Sequence, residues 1–87
     1  MKLPFEEIIK NKERRIRKFS PSIDENELKW HFDLEDRVVV PLSENDWKIQ
    51  IDNNLPQAIN KPIFIKAKEW HRILKGKTEL ELEIFFT

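Results

Sequence analysis

Two short segments hold all the imidazole chemistry of this 87-residue chain. The first runs Trp30-His31-Phe32-Asp33-Leu34-Glu35-Asp36-Arg37, and the second runs Glu69-Trp70-His71-Arg72. His31 and Asp33 are two residues apart, so on an extended chain they point the same way. A His and a carboxylate on one face can hold a metal ion or pass a proton. The same pattern has a plainer reading: if Leu28, Trp30 and Phe32 form the buried face of a strand, His31 and Asp33 are left in solvent. In the second segment His71 shares a face with Glu69 and Ile73, while Trp70, Arg72 and Leu74 share the other. Each imidazole sits beside a Trp at the start of a strand.

Composition removes most other chemistry. There is no Cys, which excludes disulfides, zinc ribbons, thiol nucleophiles and iron–sulfur ligation. One Gly cannot build a Gly-rich phosphate loop. Sixteen basic and sixteen acidic side chains cancel, so nucleic acid is not an expected partner. The neutrality is blocky: residues 1–19 carry +4, 20–47 carry −6, 48–78 carry +5 and 79–87 carry −3. The basic stretch Lys10 to Lys18 offers phosphates or an acidic partner a surface, but reads more simply as a solvated helix or edge strand. No apolar run spans a membrane, and Lys2-Leu3-Pro4-Phe5 followed by two glutamates is no signal peptide. A cytoplasmic protein is the expectation. At this length the core is thin, which makes a partner surface plausible.

The elements that must position these residues are mostly strands. A short helix is expected over residues 4–11. Pro4 suits a first turn, Glu6 and Glu7 suit a helix N-terminus, and Phe5, Ile8 and Ile9 share a face. Glu13 to Phe19 fits either an extension of that helix or a strand with Arg15, Arg17 and Phe19 on one side, and is read as a strand. Thereafter Leu28 to Asp33, Arg37 to Leu42, Trp47 to Asp52, Ile63 to Ile65 and Trp70 to Lys75 have strand character. Turns fall at Ser43 to Asp46, Asn53-Asn54 and Gly76-Lys77. Leu80, Leu82, Ile84 and Phe86 alternate with Glu79, Glu81, Glu83 and Phe85, the clearest strand in the chain. Short strands at such intervals imply an all-β sandwich or barrel.

In these segments the chain resembles the cupin superfamily of double-stranded β-helix (jelly-roll) barrels. Its first motif is G-x5-H-x-H-x3–4-E-x6-G and its second G-x5-P-x-G-x2-H-x3-N. His31-Phe32-Asp33 falls on the H-x-H. Asn60, Lys66, Lys68 and His71 fall at the G, P, G and H of the second motif with every spacing kept, and Lys75 stands for the final Asn. More narrowly, Glu27 to Arg37, Asp46 to Pro56 and Ile65 to Gly76 resemble a small cupin-like group of phages and bacteria. The resemblance covers residues 14–86. It implies one compact barrel domain, with a short N-terminal helix added.

The departures concern the metal. A metal-binding cupin uses three His and one Glu. Here the second His is Asp33, and the Glu position falls on Arg37 or Val38. The resemblance leaves His31, Asp33 and His71 as a two-His-one-carboxylate set for Fe, Mn, Ni or Zn, with Arg37 an opposing cation, or no cofactor at all. It also turns Lys29, His31 and Asp33 toward the cavity, with Gln50 facing them, and leaves Trp30, Phe32, Trp70 and Leu74 outside as a partner site or the seam of a homodimer. The leading expectation is a small-molecule-binding or accessory domain, with Arg37, Gln50, Arg72 and Lys29 contacting an anionic or carbonyl ligand. The alternatives are a metal-dependent isomerase or oxygenase using His31, Asp33 and His71, and a structural homodimer or interaction module.

Overall fold

A computed structural model describes residues 4–11 and 14–86. Among these residues, eight strands, all paired antiparallel, form two sheets: β1 (Glu6–Lys10), β2 (Arg14–Phe19), β3 (Arg37–Pro41), β4 (Lys48–Ile51), β5 (Gln57–Ala58), β6 (Ile63–Ile65), β7 (His71–Leu74) and β8 (Leu80–Phe86). The larger sheet has the order β1-β2-β8-β3-β6 and the smaller β5-β4-β7. Among the described residues the helical structure is one 3₁₀ turn, Glu25–Glu27, capped by the Asp24 carboxylate accepting from Asn26 N–H. No helix here is long and apolar enough to cross a membrane.

The alternation in the sequence builds the core directly. Leu80, Leu82 and Ile84 of β8 point inward and are 0%, 2% and 4% exposed. They meet Phe19 of β2, Val39 of β3, Ile63 and Ile65 of β6, and Ile49 and Ile51 of β4 in one cluster. Trp47 is fully buried beside Phe19, ring centroids 5.8 Å apart, and its indole N–H donates to the Thr78 carbonyl at 2.6 Å. That bond satisfies the one polar atom a buried Trp carries.

Two expectations are corrected. The N-terminal helix is not seen: residues 6–10 are β1, hydrogen-bonded along β2 with a bulge between Glu7 and Ile9. So short a helix gains too few bonds to offset its nucleation, and the adjacent β-branched Ile8-Ile9 suits a strand. Glu7 also meets Arg17 across the pair, at 3.3 Å. The expected strand at Leu28 to Asp33 reduces to one bridge at His31, because the Asp33 carbonyl accepts from Lys68 N–H at 2.7 Å instead of continuing a ladder. The two-residue β5 carries no alternation in the sequence, so nothing there marks it as a strand.

Two backbone positions are tightly specified. A Cβ at Gly76 would sit inside the Asp46 carboxylate group, 2.7 Å from its Cγ, and Asp46 accepts from the N–H groups of Lys77 and Thr78 there. Those donors, Lys77 N–H first, hold the Asp46 carboxyl below the usual carboxylate range. Lys68 has φ of 66°, in the left-handed region. It occupies a Gly position of the second cupin motif, so the turn keeps the backbone that Gly favours while the side chain bears the strain.

Leu82→Ala is expected to cost about 2–4 kcal/mol and to lower the melting temperature by roughly 10–25 °C in a domain of this size. A melting point within two degrees or so of wild type would contradict the register of β8. Lys68→Gly is expected to raise stability by about 0.5–1 kcal/mol, because relief of the left-handed strain exceeds the added chain entropy. A destabilised Lys68→Gly variant in denaturant titration would show that the turn is not strained.

Candidate metal centre

His31 and His71 are forty residues apart in sequence and directly opposite in space. His31 N–H donates to the His71 carbonyl at 3.0 Å, and His71 N–H donates back to the His31 carbonyl at 2.9 Å. This reciprocal pair sets the two side chains abreast on the same face, with ring centroids 4.3 Å apart and planes at 60°. Asp33 follows His31 by two residues. Its backbone is fixed by Lys68 N–H, and the turn is held again by Ala67 N–H donating to the Asp36 carboxylate at 2.7 Å. One ligand atom each from His31, Asp33 and His71 lies within 4.8 Å of the others.

The hydrogen bonds fix which ring nitrogens face the cluster. His31 Nδ1 is 2.9 Å from the Lys29 carbonyl, and His71 Nδ1 is 2.9 Å from the Glu69 carbonyl. A carbonyl only accepts, so each Nδ1 bears the proton and each neutral imidazole keeps its Nε2 lone pair. His71 Nε2 then faces Asp33 Oδ2 at 3.4 Å, acceptor against acceptor. Asp33 Oδ2 is buried and takes no hydrogen bond. Two enclosed acceptors in apposition call for a cation between them, either a proton on His71 or a metal ion. The other carboxylate oxygen, Oδ1, is held by Arg37 Nη2 at 3.3 Å. A hydrogen bond from His71, made when its Nε2 carries a proton, holds the Asp33 carboxyl below the usual range. Burial opposes this, and the Arg37 guanidinium adds to it.

These residues stand at the polar end of a cavity of about 370 Å³ inside the barrel. His71 is buried, whereas His31 and Lys29 are exposed and stand at the mouth. Arg37 reaches the cavity because it shares the inner face of β3 with Val39. Gln50 and Arg72 do not line it. Ile49 and Ile51 point inward, so Gln50 points outward, and His71 and Ile73 likewise turn Arg72 outward. There Arg72 Nε donates to Gln50 Oε1 at 3.0 Å and its guanidinium covers the Trp30 ring at 4.8 Å. Trp30, Phe32 and Trp70 are partly exposed outside the barrel, the last two packed edge to face with centroids 4.9 Å apart.

One residue of the basic stretch that reads in the sequence as a solvated edge stands at the cavity. Arg17 lines it, bonded to Glu7 and stacked on the Phe5 ring at 4.2 Å. Burial, together with Arg37 and Arg15 nearby, lowers its pKa, and Glu7 opposes this. The available signal was parity: Arg17 shares a side of β2 with Phe19.

Compared by sequence, no protein-family model and no curated protein matches the chain. Compared by structure, it is similar to several solved proteins. A DMSP lyase superposes with a TM-score of 0.65 at 16% identity, over 84% of this chain and 37% of its own. This chain thus spans little more than a third of that enzyme's length. A mannose-6-phosphate isomerase-like protein from Ralstonia eutropha JMP134 gives 0.63 at 17% identity, covering 94% of this chain and 82% of that one. A cupin domain from Bordetella pertussis Tohama I gives 0.56 at 20% identity, over 100% of this chain and 98% of its own. With the barrel, its paired histidines and these likenesses together, this chain has a cupin-like fold.

Proposed function

We propose that this chain is a small-molecule-binding domain whose cavity holds a divalent transition metal ion on His31 Nε2, His71 Nε2 and Asp33 Oδ2. The observation that carries this reading is the buried, unbonded Asp33 Oδ2 facing an imidazole lone pair. The donor set fits: two imidazoles and one carboxylate suit iron, manganese, nickel or zinc. When bound, the ion would supply Lewis acidity and open coordination positions for a ligand.

The chain's own residues do the rest. Lys29 and Glu69 carbonyls orient the two imidazoles and fix their tautomer. Arg37 anchors Asp33 through Oδ1 and leaves Oδ2 for the ion. Its charge opposes the metal's, so the site trades affinity for a fixed carboxylate. An isomerase or oxygenase would use the same three ligands, and turnover of candidate substrates by the loaded protein separates it from a binding domain.

Calorimetric titration with Zn(II), Mn(II), Ni(II) and anaerobic Fe(II) tests this reading. One ion per chain is expected at neutral pH. Affinity should fall as the solution is made more acidic, because protons compete with the ion for its ligand atoms. Asp33→Asn and His71→Gln should weaken binding by more than the roughly 10–100-fold that loss of an outer partner costs. Arg37→Gln should strengthen it, since a competing cation is gone. Absence of binding, or binding that ignores Asp33 and His71, would contradict the proposal.

A further inference from the structure

The cavity has two unlike halves. Its wall beyond the His-Asp cluster is apolar, with Ile49, Ile59, Ile63, Ile65 and Ile73 among its residues. Two guanidiniums also line the cavity: Arg37, paired with Asp33 of the cluster, and Arg17, paired with Glu7. Each already has one enclosed carboxylate, Glu7 for Arg17 and Asp33 for Arg37. The enclosed charges therefore balance before any ion enters. A divalent ion on Asp33 would add two positive charges that no other enclosed side chain offsets, and an uncompensated charge in a low-dielectric cavity is costly. Arg37 Nε is also buried with no acceptor.

Resting on the metal-bound reading of this site, we propose that the occupant is a small amphiphilic carboxylate. Its anionic head lies toward Arg37 and Arg17 beside the His-Asp cluster, and its hydrocarbon body lies against the isoleucines. Guanidinium donors match carboxylate oxygens; Arg37 Nη2 already meets Asp33 and Glu35, while its buried Nε has no acceptor. The isoleucine wall has no polar side-chain atoms, so a sugar or other polyol would leave its hydroxyls unpaired there. The volume of about 370 Å³ equals roughly a dozen water volumes, room for about as many non-hydrogen atoms.

Calorimetry on the full chain, with and without Zn(II), tests this with hexanoate, acetate, 1-hexanol, hexyl phosphate and glucose. Hexanoate is expected to bind roughly tenfold or more tightly than acetate, through its added methylenes, and than 1-hexanol, through its charge. Ile73→Phe, which narrows the apolar half, should weaken hexanoate and leave acetate unchanged. Arg37→Gln should weaken hexanoate while strengthening zinc, so the two readings move in opposite directions in one variant. Should that variant fail to fold, Arg37→Lys keeps the charge, loses the fork and should weaken hexanoate too. Equal binding of 1-hexanol or acetate, tighter binding of glucose or hexyl phosphate, or no hexanoate binding in either state would overturn the proposal. Zinc binding without hexanoate binding sinks the ligand class alone. Hexanoate binding in a chain that takes up no zinc sinks the metal reading and keeps the carboxylate.

Discussion

The reciprocal backbone pair between His31 and His71 is the interaction on which the site depends. It joins a segment that is otherwise irregular, residues 28–36, to the start of β7 at one bridge. Two hydrogen bonds of 3.0 and 2.9 Å set the spacing of the imidazoles before any ligand is considered. The flanking carbonyls of Lys29 and Glu69 then set their rotation. Each His is oriented by the residue two before it, so both arms of the site use the same local device. The orientation needs no other side chain, which explains how a thin barrel can hold it.

Around this pair the barrel turns several charged side chains inward. Arg17 on β2, Arg37 on β3 and His71 on β7 occupy positions that alternation turns to the inside, where other strands place isoleucine or leucine. An arginine in such a place is tolerated only with a partner, and Glu7 and Asp33 provide one each. Both guanidiniums also rest on rings, Arg17 on Phe5 and Arg37 on Phe86 at 4.9 Å. Asp33 is pulled from two sides, toward Arg37 through one oxygen and toward the imidazoles through the other. Cationic strand positions, a carboxylate between them and apolar side chains around them line a cavity in a fold whose interior could have been filled.

Much of this was legible in the residues, and the reasons for the failures are local. Strict alternation in β8 placed Leu80, Leu82 and Ile84 correctly, because seven residues of period two suit only a half-buried strand. The convergence of His31 and His71 came from the spacing of the second cupin motif, and Lys68 keeps that motif's left-handed backbone without its Gly. Alternation with Ile49 and Ile51 turns Gln50 outward, against the cavity-facing position the barrel resemblance implies. Arg17 reads as part of a solvated basic run because its partner Glu7, half-buried in the structure, lies in a segment whose residues suggest a helix. Once β1 is a strand, Glu7 faces Arg17 and the inward turn of that arginine follows. The single bridge at His31 has no local signature, because it depends on a turn at Lys66 to Glu69 more than thirty residues away.

The tautomers of the two imidazoles test the central claim most directly. Nitrogen-15 long-range correlation spectra of the metal-free protein, taken above the pH at which free imidazole is neutral, distinguish Nδ1–H from Nε2–H rings. Both His31 and His71 are expected as Nδ1–H tautomers, with the two Nε2 resonances moving together when one equivalent of Zn(II) is added. An Nε2–H tautomer at either residue, or zinc that shifts one ring without the other, would contradict the account.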